Sequence, residues 1–562
     1  MLKELTLREL IENSVASFGK QNALGYYDSP AITYKNLKTQ IKTVSEFLTN
    51  EGIVHGDRVA ILSENCPNWG ITYFAVTTMG AVAVPVLPDF HTSEVHHILR
   101  HSGAKAVFVS ERYYHKIEEF QGEFALTIVL IDNFSIIKPN TTKASLKKLI
   151  AEGSRELQRI KNLALRFAGF MSKKVKEEDL AAIIYTSGTT GHSKGVMLTH
   201  KNIVSNAIAT TKIVNVKSND TMLSILPLAH VYECTLGLVL PIMLGAAIYY
   251  IKKPPTAAVL LPALTAIRPT VMLSVPLIIE KMYKGKILPE INSRRIVRMA
   301  YKIPTFRKKI NSVAGKKLLA IFGGRLKLFC IGGAAIAPDV EMFLREAGFP
   351  YAIGYGLTET SPLIAGTDVD KTKHKSTGPA LPGIEIMIER TGKSKTDGEI
   401  LVKSPGVMKG YYNEPLLTKE VITADGWFRT GDLGALDKNH YLYIKGRLKN
   451  VILGPSGENI YPEGIESVIN RSDYVLESLV YQFQNSLYAK VYLNYEKIDN
   501  EISVNKLTEK ATKQYIANIL ANIKKEVNEN VSSFSKISQV IEQPEPFEKT
   551  PTQKIKRYLY VN

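Results

Sequence analysis

The sequence predicts an α/β protein with a large N-terminal domain of layered, mostly parallel sheets with flanking helices, followed by a small α+β C-terminal domain. Three observations support this prediction. The 562 residues exceed what a single hydrophobic core usually organises. Apolar strand-like runs alternate with helical segments in the first part of the chain. This pattern changes near residue 446, and we therefore predict domains spanning residues 1–448 and 449–562.

The first alternation of strands and helices lies within residues 58–110. In each segment the pattern of apolar residues is that of either a strand or a helix, and the second helix is closed by Gly103. Repeated β-α-β units of this kind predict a parallel sheet with helices on both faces. In order, the segments are RVAIL (strand), NWGITYFAVTTMGA (helix), AVPVL (strand), EVHHILRHSG (helix) and KAVFVS (strand).

A loop rich in glycine and hydroxyl residues, YTSGTTGHSKG, leaves the carboxyl end of a further buried strand, AAIIY. Its spacing is not that of a Walker loop, because His192 and Ser193 stand between Gly191 and Lys194. Backbone N–H groups, hydroxyls and one lysine suit an anion at the sheet edge where open α/β sheets bind ligands. A plain surface turn is the alternative. The following KGVMLT predicts an extended segment, with Thr199 capping the next helix.

The segment CTLGLVLPIMLGAAIYYI at residues 234–251 carries no charge and is just long enough to raise the question of a membrane span. Pro241 and Gly245 interrupt it, and its end is rich in β-forming residues. We therefore predict a buried helix that leads into a strand. Beyond residue 446, a turn-rich segment, a helix, two strand-like runs and a polar helical tail predict the small domain.

The composition is that of an ordinary globular protein, with 45% apolar residues and mixed charge. Cys66, Cys234 and Cys330 are scattered without metal or disulfide spacing, which favours a reducing, cytoplasmic compartment. The N-terminal MLKELTLRELIENSV predicts the start of an amphipathic helix and lacks the apolar run of a signal peptide.

Most of the net charge of +18 lies between residues 281 and 327, where 14 Lys/Arg accompany a single acid, Glu290. Such a segment fits anionic lipid, a polyphosphate ligand or nucleic acid, and a solvated helical insertion is the alternative. We expect no nucleic acid, because no recognisable binding signature accompanies the charge. The sequence leaves a homodimer open.

Two acids in glycine-containing segments are candidates for ligand binding. Glu359, in IGYGLTETSP, suits a Mg²⁺ ion held by one carboxylate and ligand phosphates. Asp432, in WFRTGDLG, is predicted to lie in a tight turn, where its carboxylate would accept from two adjacent ribose hydroxyls. A solvated turn is the alternative for each.

Three further candidate site residues have nitrogen-containing side chains. His230, in LPLAHVYE, lies among apolar residues, which is also typical of a satisfied core histidine. Arg447 in GRLKN and Lys554 in TPTQKIKR lie in segments that are otherwise ordinary basic loops.

Taken together and in this order, these motifs resemble the adenylate-forming superfamily of acyl-CoA synthetases, peptide-synthetase adenylation domains and luciferases. The resemblance covers nearly the whole chain. LPLAHVYE, STGPALPGIEI, LGPSGENIYPEGIE and TPTQKIKR are most similar to bacterial long-chain fatty acyl-CoA synthetases. One departure is Ser193, where the family usually has proline. We expect a looser loop but retained activity, because proline fixes φ, serine does not, and Lys194 is kept.

The resemblance implies a two-step reaction. The carboxylate of an acid attacks the α-phosphate of MgATP, giving acyl-AMP and pyrophosphate, and the thiol of CoA then displaces AMP. ATP, Mg²⁺ and CoA are the implied cofactors. The loop would hold the β- and γ-phosphates through Thr186, Ser187, Gly188, Thr189, Thr190, Gly191 and Lys194.

The resemblance also implies roles for single residues in the site. Glu359 would bind Mg²⁺ and Thr358 would reach the α-phosphate, while Tyr355 and Gly356 would flank the adenine. Asp432 and Arg447 would bind the ribose.

Lys554 would bridge the α-phosphate and the attacking carboxylate, offsetting their charge. His230 would lie near that carboxylate in its neutral form, because apolar surroundings disfavour the charged form. The mobile small domain would swing about Lys449. One orientation would deliver Lys554, and the other would replace it with the 453–466 loop and open the CoA route.

The acyl pocket follows from small residues beside the segment after His230. Gly332, Gly333, Ala334 and Ala335 would leave a channel, and a deep channel would favour long-chain fatty acids. The basic segment 281–327 would then rest on anionic membrane at its inner face, where fatty acids partition.

Three alternatives stay open at this point. One is an acyl-AMP ligase that loads a separate carrier protein, and another is a CoA ligase for medium-chain or aromatic acids. The third is an inactive acyl- or nucleotide-binding scaffold, which the presence of Lys554, Glu359 and Asp432 disfavours.

Overall fold

The structure is a computed structural model, and it describes residues 2–120, 126–137, 174–186, 193–390, 396–454, 459–484, 486–505, 508–550 and 554–561. The helices of these residues are α1 (Leu7–Phe18), α2 (Tyr34–Asn50), α3 (Pro67–Thr78), α4 (Thr92–Ser102), α5 (His200–Thr211), α6 (Leu240–Leu244), α7 (Ala257–Ile267), α8 (Pro276–Met282), α9 (Leu288–Asn292), α10 (Arg295–Tyr301), α11 (Pro304–Ile321), α12 (Pro338–Ala347), α13 (Pro415–Val421), α14 (Pro462–Ile469), α15 (Tyr495–Asn505) and α16 (Glu509–Asn530).

The strands are β1 (Asn22–Tyr26), β2 (Ile32–Thr33), β3 (Arg58–Leu62), β4 (Val82–Val86), β5 (Ala106–Val109), β6 (Thr127–Leu130), β7 (Ser135–Ile137), β8 (Leu180–Thr186), β9 (Lys194–Thr199), β10 (Thr221–Ser224), β11 (Ala247–Tyr250), β12 (Val271–Ser274), β13 (Leu328–Ile331), β14 (Tyr351–Ile353), β15 (Tyr355–Gly356), β16 (Leu363–Ala365), β17 (Glu385–Arg390), β18 (Gly398–Lys403), β19 (Gly410–Tyr411), β20 (Phe428–Leu436), β21 (Leu442–Arg447), β22 (Ile452–Leu453), β23 (Asn459–Ile460), β24 (Val475–Phe483), β25 (Ser486–Leu493) and β26 (Ile537–Gln543).

Two large sheets organise the N-terminal domain. The first has the order β19-β9-β8-β4-β3-β5-β6-β7, with parallel pairing from β8 through β6 and antiparallel pairing at both ends. The second has the order β14-β13-β12-β10-β11-β1-β2 and is parallel except for β2. The apolar sequences of these strands suit burial on both faces, which requires helices on either side of each sheet. The observed sheets confirm the predicted class of mostly parallel, helix-flanked sheets.

Helix α3 packs between the two large sheets, with contacts to β1 of one and to β3 and β4 of the other. Trp69 and Phe74 are fully buried there. A helix that is apolar around its whole circumference is expected in such a position. The two sheets therefore share one continuous core.

Local signals in the sequence are confirmed where the structure describes them. Gly103 ends α4 in the left-handed conformation, with φ of 61°. Thr199 caps α5, because its hydroxyl accepts from the Asn202 N–H while its own N–H donates to the Asn202 side chain.

The uncharged segment 234–251 is a buried π-helical turn, Glu233–Val239, followed by α6 and β11. Pro241 and Gly245 fall within and at the end of α6, as the predicted helix-to-strand transition requires. Among the residues that the structure describes, no helix combines the length and apolarity needed to cross a bilayer.

A third sheet, β17-β18-β20-β21, is antiparallel and has its own small apolar core. It is the last part of the large domain before the chain enters the small domain. Asp432 in β20 lies directly opposite Arg447 at the end of β21.

The small C-terminal domain has a separate core beneath the sheet β24-β25-β26, with helices α14, α15 and α16 against it. Strands β24 and β25 are antiparallel, and β26 joins β25 in parallel. This mixed arrangement confirms the predicted α+β class. The boundary at residue 448/449 stays our proposal.

Polar contacts between described residues join the small domain to the large one. The Tyr461 hydroxyl donates to Asp397 Oδ2 at 3.2 Å, and the Lys284 Nζ donates to the Asn470 carbonyl oxygen. Just after the connection, inside the small domain, the Asn450 Nδ2 donates to Glu463 Oε1 at 2.6 Å. These polar contacts define one orientation of the small domain.

Candidate active site

The loop predicted to bind phosphate lies between β8 and β9, which form an antiparallel pair in which Thr186 lies opposite Lys194. Both predicted residues therefore stand at the two ends of the predicted loop. Ser193, at the position where proline is usual, is buried. The remaining predicted loop residues fall outside the described residues; these are Ser187, Gly188, Thr189, Thr190 and Gly191.

Glu359, the predicted metal ligand, lies in a short 3₁₀ turn, Thr358–Thr360, and is oriented by a tyrosine from a distant part of the chain. The Tyr411 hydroxyl donates to Glu359 Oε1 at 2.9 Å. The Lys194 Nζ lies 5.6 Å from the centre of the same tyrosine ring. Tyr411 thus joins the predicted metal ligand to the predicted phosphate-binding lysine.

The sequence analysis missed Tyr411. Its position follows from the pairing of β19 with β9, which places Tyr411 opposite Val196, close to Lys194. The MKGYYNEP segment contains a glycine and aromatic residues, but no spacing in it indicates a contact with Glu359. Only the strand pairing brings these residues together.

We expect the Tyr411→Phe variant to need about tenfold more Mg²⁺ for half-maximal activity, with little loss of thermal stability. The reason is that a hydrogen bond to a charged group contributes about 1.5–3 kcal/mol, and tenfold corresponds to about 1.4 kcal/mol. The ring that neighbours Lys194 is retained. A Mg²⁺ titration of the initial rate measures the effect, with Tyr412→Phe as the matched control. An unchanged titration would show that Tyr411 does not position a metal ligand.

Asp432 and Arg447, the predicted ribose ligands, form a close pair in which Arg447 Nε lies 2.8 Å from Asp432 Oδ1. The prediction that Asp432 lies in a tight turn is wrong: it is inside strand β20, and Gly431 before it has a positive φ of 67°. The glycines that suggested a turn instead allow the strand to bend at the site. The cross-strand register is what pairs Asp432 with Arg447.

The Asp432 carboxylate has capacity left for a ligand. Tyr355 donates its hydroxyl to Oδ2 at 2.7 Å, so each carboxylate oxygen has one protein partner. An ionised carboxylate offers about four acceptor sites, which leaves two for adjacent hydroxyls. Burial raises the pKa of Asp432, and the Arg447 guanidinium opposes this shift. The cluster therefore fits a vicinal diol.

Lys554 lies in the cleft between the domains, within electrostatic reach of Asp432, Glu359 and Arg447. Its side chain is exposed, yet the surrounding protein and the Arg447 charge lower the pKa of Lys554. The charge of Lys554 also contributes to lowering the pKa of His230. The structure thus brings together predicted residues from both domains that are more than 300 positions apart.

The segment that carries Lys554 is anchored inside the small domain by Arg557. Its guanidinium donates to both carboxylate oxygens of Glu466, at 2.7 and 3.0 Å, and to the Val480 carbonyl at 2.8 Å. Bidentate pairs of this kind fix direction as well as distance. On the other side of Lys554, the Thr550 N–H donates to the Lys554 carbonyl at 2.8 Å.

His230 is neutral and presents one N–H group. Burial, reinforced by the Lys554 charge, lowers the pKa of His230 to about 4. Its Nδ1 accepts from the Tyr232 N–H at 3.2 Å, which assigns the ring proton to Nε2. A neutral Nε2–H is a donor suited to a carboxylate oxygen.

Tyr355, Gly356 and Thr358 lie along one short stretch beside this cluster. Gly356 has no room for a side chain, because a Cβ there would lie 1.9 Å from the Pro362 carbonyl oxygen. Thr358 is buried. The Tyr355 hydroxyl is bonded to Asp432, so its ring is held in place beside the predicted ribose site.

An apolar cavity begins near His230. Its walls surround about 550 Å³ of unoccupied space, part of which is open to solvent. Almost all the lining groups are apolar. They come from β10, β12, β13, β14 and β16, from the end of α5 and the segment after it, and from the π-helical turn and α6 that follow His230. Representative lining residues are Val214, Met222, Tyr232, Leu236, Val271 and Ala352.

The predicted acyl-pocket residues lie at the edge of this cavity and do not line it. Gly332 lies behind the wall, because a Cβ at this position would lie 3.1 Å from the ring of Tyr232, which lines the cavity. Gly333, Ala334 and Ala335 are exposed. The walls combine strand residues with residues of α5, the π-helical turn and α6, and their sequences are those of an ordinary core.

Lys449, the predicted hinge, is exposed in a 3₁₀ turn, Leu448–Asn450, immediately after Arg447. The turn connects the last strand of the large domain to the first strand of the small one. Of the predicted 453–466 loop, residues 455–458 lie outside the described residues.

Comparison with known proteins places this site in context. A family model described as "AMP-binding enzyme" matches residues 11–412. The chain is 30% identical over 519 residues to long chain acyl-CoA synthetase 6, peroxisomal, of Arabidopsis thaliana, which covers 86% of this chain and 73% of that protein. It is 31% identical over 477 residues to long-chain-fatty-acid–CoA ligase FadD15 of Mycobacterium bovis, covering 80% of this chain and 75% of that protein.

The fold is also similar to solved structures. The anthranilate CoA ligase AuaEII, solved in complex with anthranoyl-AMP, superposes with a TM-score of 0.75 at 19% identity. The match covers 99% of this chain and 96% of that one. At this identity the comparison shows a shared fold over both domains.

Proposed function

The chain belongs to the AMP-binding enzyme family, and from that premise we propose that it activates a long-chain fatty acid with ATP and transfers the acyl group to CoA. The family and the named relatives support the activity of an adenylate-forming acid–CoA ligase. The preference for a long acyl chain is to be tested, because an aromatic-acid ligase has the same fold.

The observation that carries the proposal is the meeting of four groups beside an apolar cavity. Lys554, the Asp432–Arg447 pair, Glu359 and neutral His230 face one cleft, and the cavity begins two residues after His230, at Tyr232. Cationic groups, a carboxylate suited to hydroxyls and a carboxylate suited to a metal ion would bind a nucleotide. The apolar cavity beside them would bind an acyl chain.

In the first half-reaction, a carboxylate oxygen of the acid bonds to the α-phosphorus of ATP as the bond to pyrophosphate breaks. His230 donates its Nε2–H to the carboxylate and orients it. Lys554 lies between the two anions and offsets their repulsion, which is the main requirement of this chemistry. Asp432 holds the ribose hydroxyls, with Arg447 and Tyr355 fixing the carboxylate.

Glu359 would hold Mg²⁺, with Tyr411 orienting the carboxylate. The ion supplies charge neutralisation on the phosphates. Thr186 and Lys194, at the two ends of the phosphate loop, would contact the β- and γ-phosphates. The proposed adenine site is flanked by Tyr355 and Gly356, with Thr358 toward the α-phosphate.

In the second half-reaction, the CoA thiolate attacks the acyl carbonyl and AMP leaves. We place the motion between the two steps at Lys449, about which the small domain of residues 449–562 turns relative to residues 1–448. Polar contacts between the domains, such as Tyr461 with Asp397, would break and re-form in this motion.

The experiment that tests the function is pyrophosphate release with MgATP and fatty acids from butyric to eicosanoic acid, plus one aromatic acid, each with and without CoA. Turnover that peaks at long chains and requires CoA is the expected result. A single burst without CoA-dependent turnover would indicate an acyl-AMP ligase that awaits a carrier protein. A maximum at medium-chain or aromatic acids would move the substrate class.

Ala352, a buried residue in the cavity wall, offers a test of where the acyl chain lies. Because each buried methylene contributes about 0.8 kcal/mol, a side chain that displaces two methylenes costs about tenfold in kcat/KM. We therefore expect Ala352→Phe to lower kcat/KM for palmitate about tenfold while octanoate is little affected. Ala352→Val should give an intermediate shift. Equal loss for both acids would indicate a folding defect or a chain bound elsewhere.

We also propose that the enzyme acts in the cytoplasm, at the inner face of the membrane, where long-chain fatty acids partition. The excess of Lys and Arg in residues 281–327 supports contact with an anionic surface.

A further inference from the structure

Five large apolar side chains lie on the outside of α10 and α11 and at the turn between these helices. They are Ile296, Met299, Ile303, Phe306 and Val313, with 83%, 63%, 49%, 52% and 60% of their surface exposed. We call this set the apolar stripe.

The spacing of the apolar stripe is helical. Successive members are three, four, three and seven residues apart, so those within one helix share a face. Scattered exposed apolar residues need no explanation, but five of them within residues 296–313 indicate a surface that meets a partner.

Basic side chains border the apolar stripe. Arg295, Arg298, Lys302, Lys309 and Lys316 are all exposed, and we call them the basic rim. In the part of the chain that the structure describes, no carboxylate pairs with any member of the rim. The one acid within residues 281–327, Glu290, is paired with Lys317 instead.

We infer that the apolar stripe and basic rim dock on an anionic lipid surface, with the stripe inserted among the headgroups and the rim contacting lipid phosphates. A helical face with apolar residues in its centre and Lys/Arg around it is the arrangement of interfacial helices. Charge decides the occupant. Two copies of this chain would oppose two strongly basic faces, and a nucleic acid would leave the apolar stripe in water.

The position of the insertion connects this surface to the cavity. Helices α8 to α11 leave the end of β12 and return into β13, and both strands line the cavity through Val271, Leu273, Leu328 and Cys330. If the cavity holds an acyl chain, which rests on the proposed function, the docking surface brings its walls to the source of that chain.

Sedimentation of the full-length protein with lipid vesicles tests the inference. The probes are phosphatidylcholine vesicles with and without phosphatidylglycerol, in the absence of substrates. The stripe variant carries Ile296→Ser, Met299→Ser and Phe306→Ser. Its matched control carries serine at three exposed apolar positions elsewhere, Val54, Leu416 and Leu476. A rim variant carries Arg295→Gln, Arg298→Gln and Lys302→Gln.

We expect the wild type and the matched control to bind vesicles that contain phosphatidylglycerol. The stripe variant should bind roughly tenfold more weakly or worse, because its apolar contacts are lost. The rim variant should lose the preference for anionic vesicles and the sensitivity to salt. Unchanged binding by the stripe variant would overturn the inference. So would a change from dimer to monomer in the stripe variant with vesicle binding intact, since the occupant would then be a second copy.

Pyrophosphate release with octanoate, which dissolves in water, separates this inference from the proposed function. The stripe and rim variants should keep wild-type rates with octanoate. Vesicle binding without any ligase activity in the wild type would refute the function and leave the docking surface standing.

Discussion

Replacing Lys554 with alanine should lower the rate of acyl-adenylate formation by about 10²–10³-fold, the usual effect of removing one group that stabilises charge in a transition state. The reason is that Lys554 shares the cleft with Asp432 and Glu359 and is the cation that reaches it from the small domain. The acid carboxylate and the α-phosphate would then approach each other without compensation.

Two assays separate the half-reactions. Pyrophosphate release from MgATP and palmitate reports adenylation, and CoA-thioester formation from supplied palmitoyl-AMP reports the second step. Lys554→Ala should lose the first and keep the second. Lys556→Ala, two residues further along and paired with Glu548, is the matched control and should keep both. Equal loss of both steps in Lys554→Ala would refute alternation of the small domain in this chain.

Replacing Asp432 with alanine should raise the KM for ATP and lower kcat/KM by about 10²-fold or more. Two hydrogen bonds from ribose hydroxyls to a charged carboxylate are lost, each contributing about 1.5–3 kcal/mol. The substitution also leaves the Tyr355 hydroxyl and the Arg447 guanidinium without their shared partner. Steady-state kinetics at varied ATP measures the loss.

A stability measurement keeps this prediction specific. Asp432→Asn retains the size of the side chain and should lose ATP affinity with a smaller fall in the melting temperature than Asp432→Ala. Asp437→Ala, in the same region and paired with Lys373 on the surface, should leave the KM for ATP unchanged. Wild-type ATP affinity in both Asp432 variants would place the ribose elsewhere.

The parallel sheets could be predicted because each of their strands carries its own signal. The runs around β3, β4 and β5 are short and apolar, and the helices between them have clear ends such as Gly103. These are local properties that neighbouring residues determine. The same holds for Thr199, whose capping role depends on residues three positions away.

The site could be predicted only as a set of separate motifs. Asp432 was expected in a turn because glycines flank it, while its true setting is a strand whose register with β21 supplies Arg447. Tyr411 was missed because its partner Glu359 is 52 residues away in the sequence. The lining of the cavity was not predicted, because it combines strands, helices and turns whose apolar sequences resemble any core. Contacts between distant segments determine all three.

The anchoring of Lys554 by Arg557 and Glu466 has a consequence for the direction of the reaction. A group that speeds adenylation also speeds its reversal, in which pyrophosphate attacks acyl-AMP and restores ATP. Because the partly buried ion pair fixes the lysine-bearing segment to its own domain, Lys554 leaves the cleft only when the whole domain turns. In the proposed alternation, that single movement withdraws catalysis of the backward step at the moment when the thiol is admitted. The anchor would then act as a ratchet that commits the adenylate to the thioester.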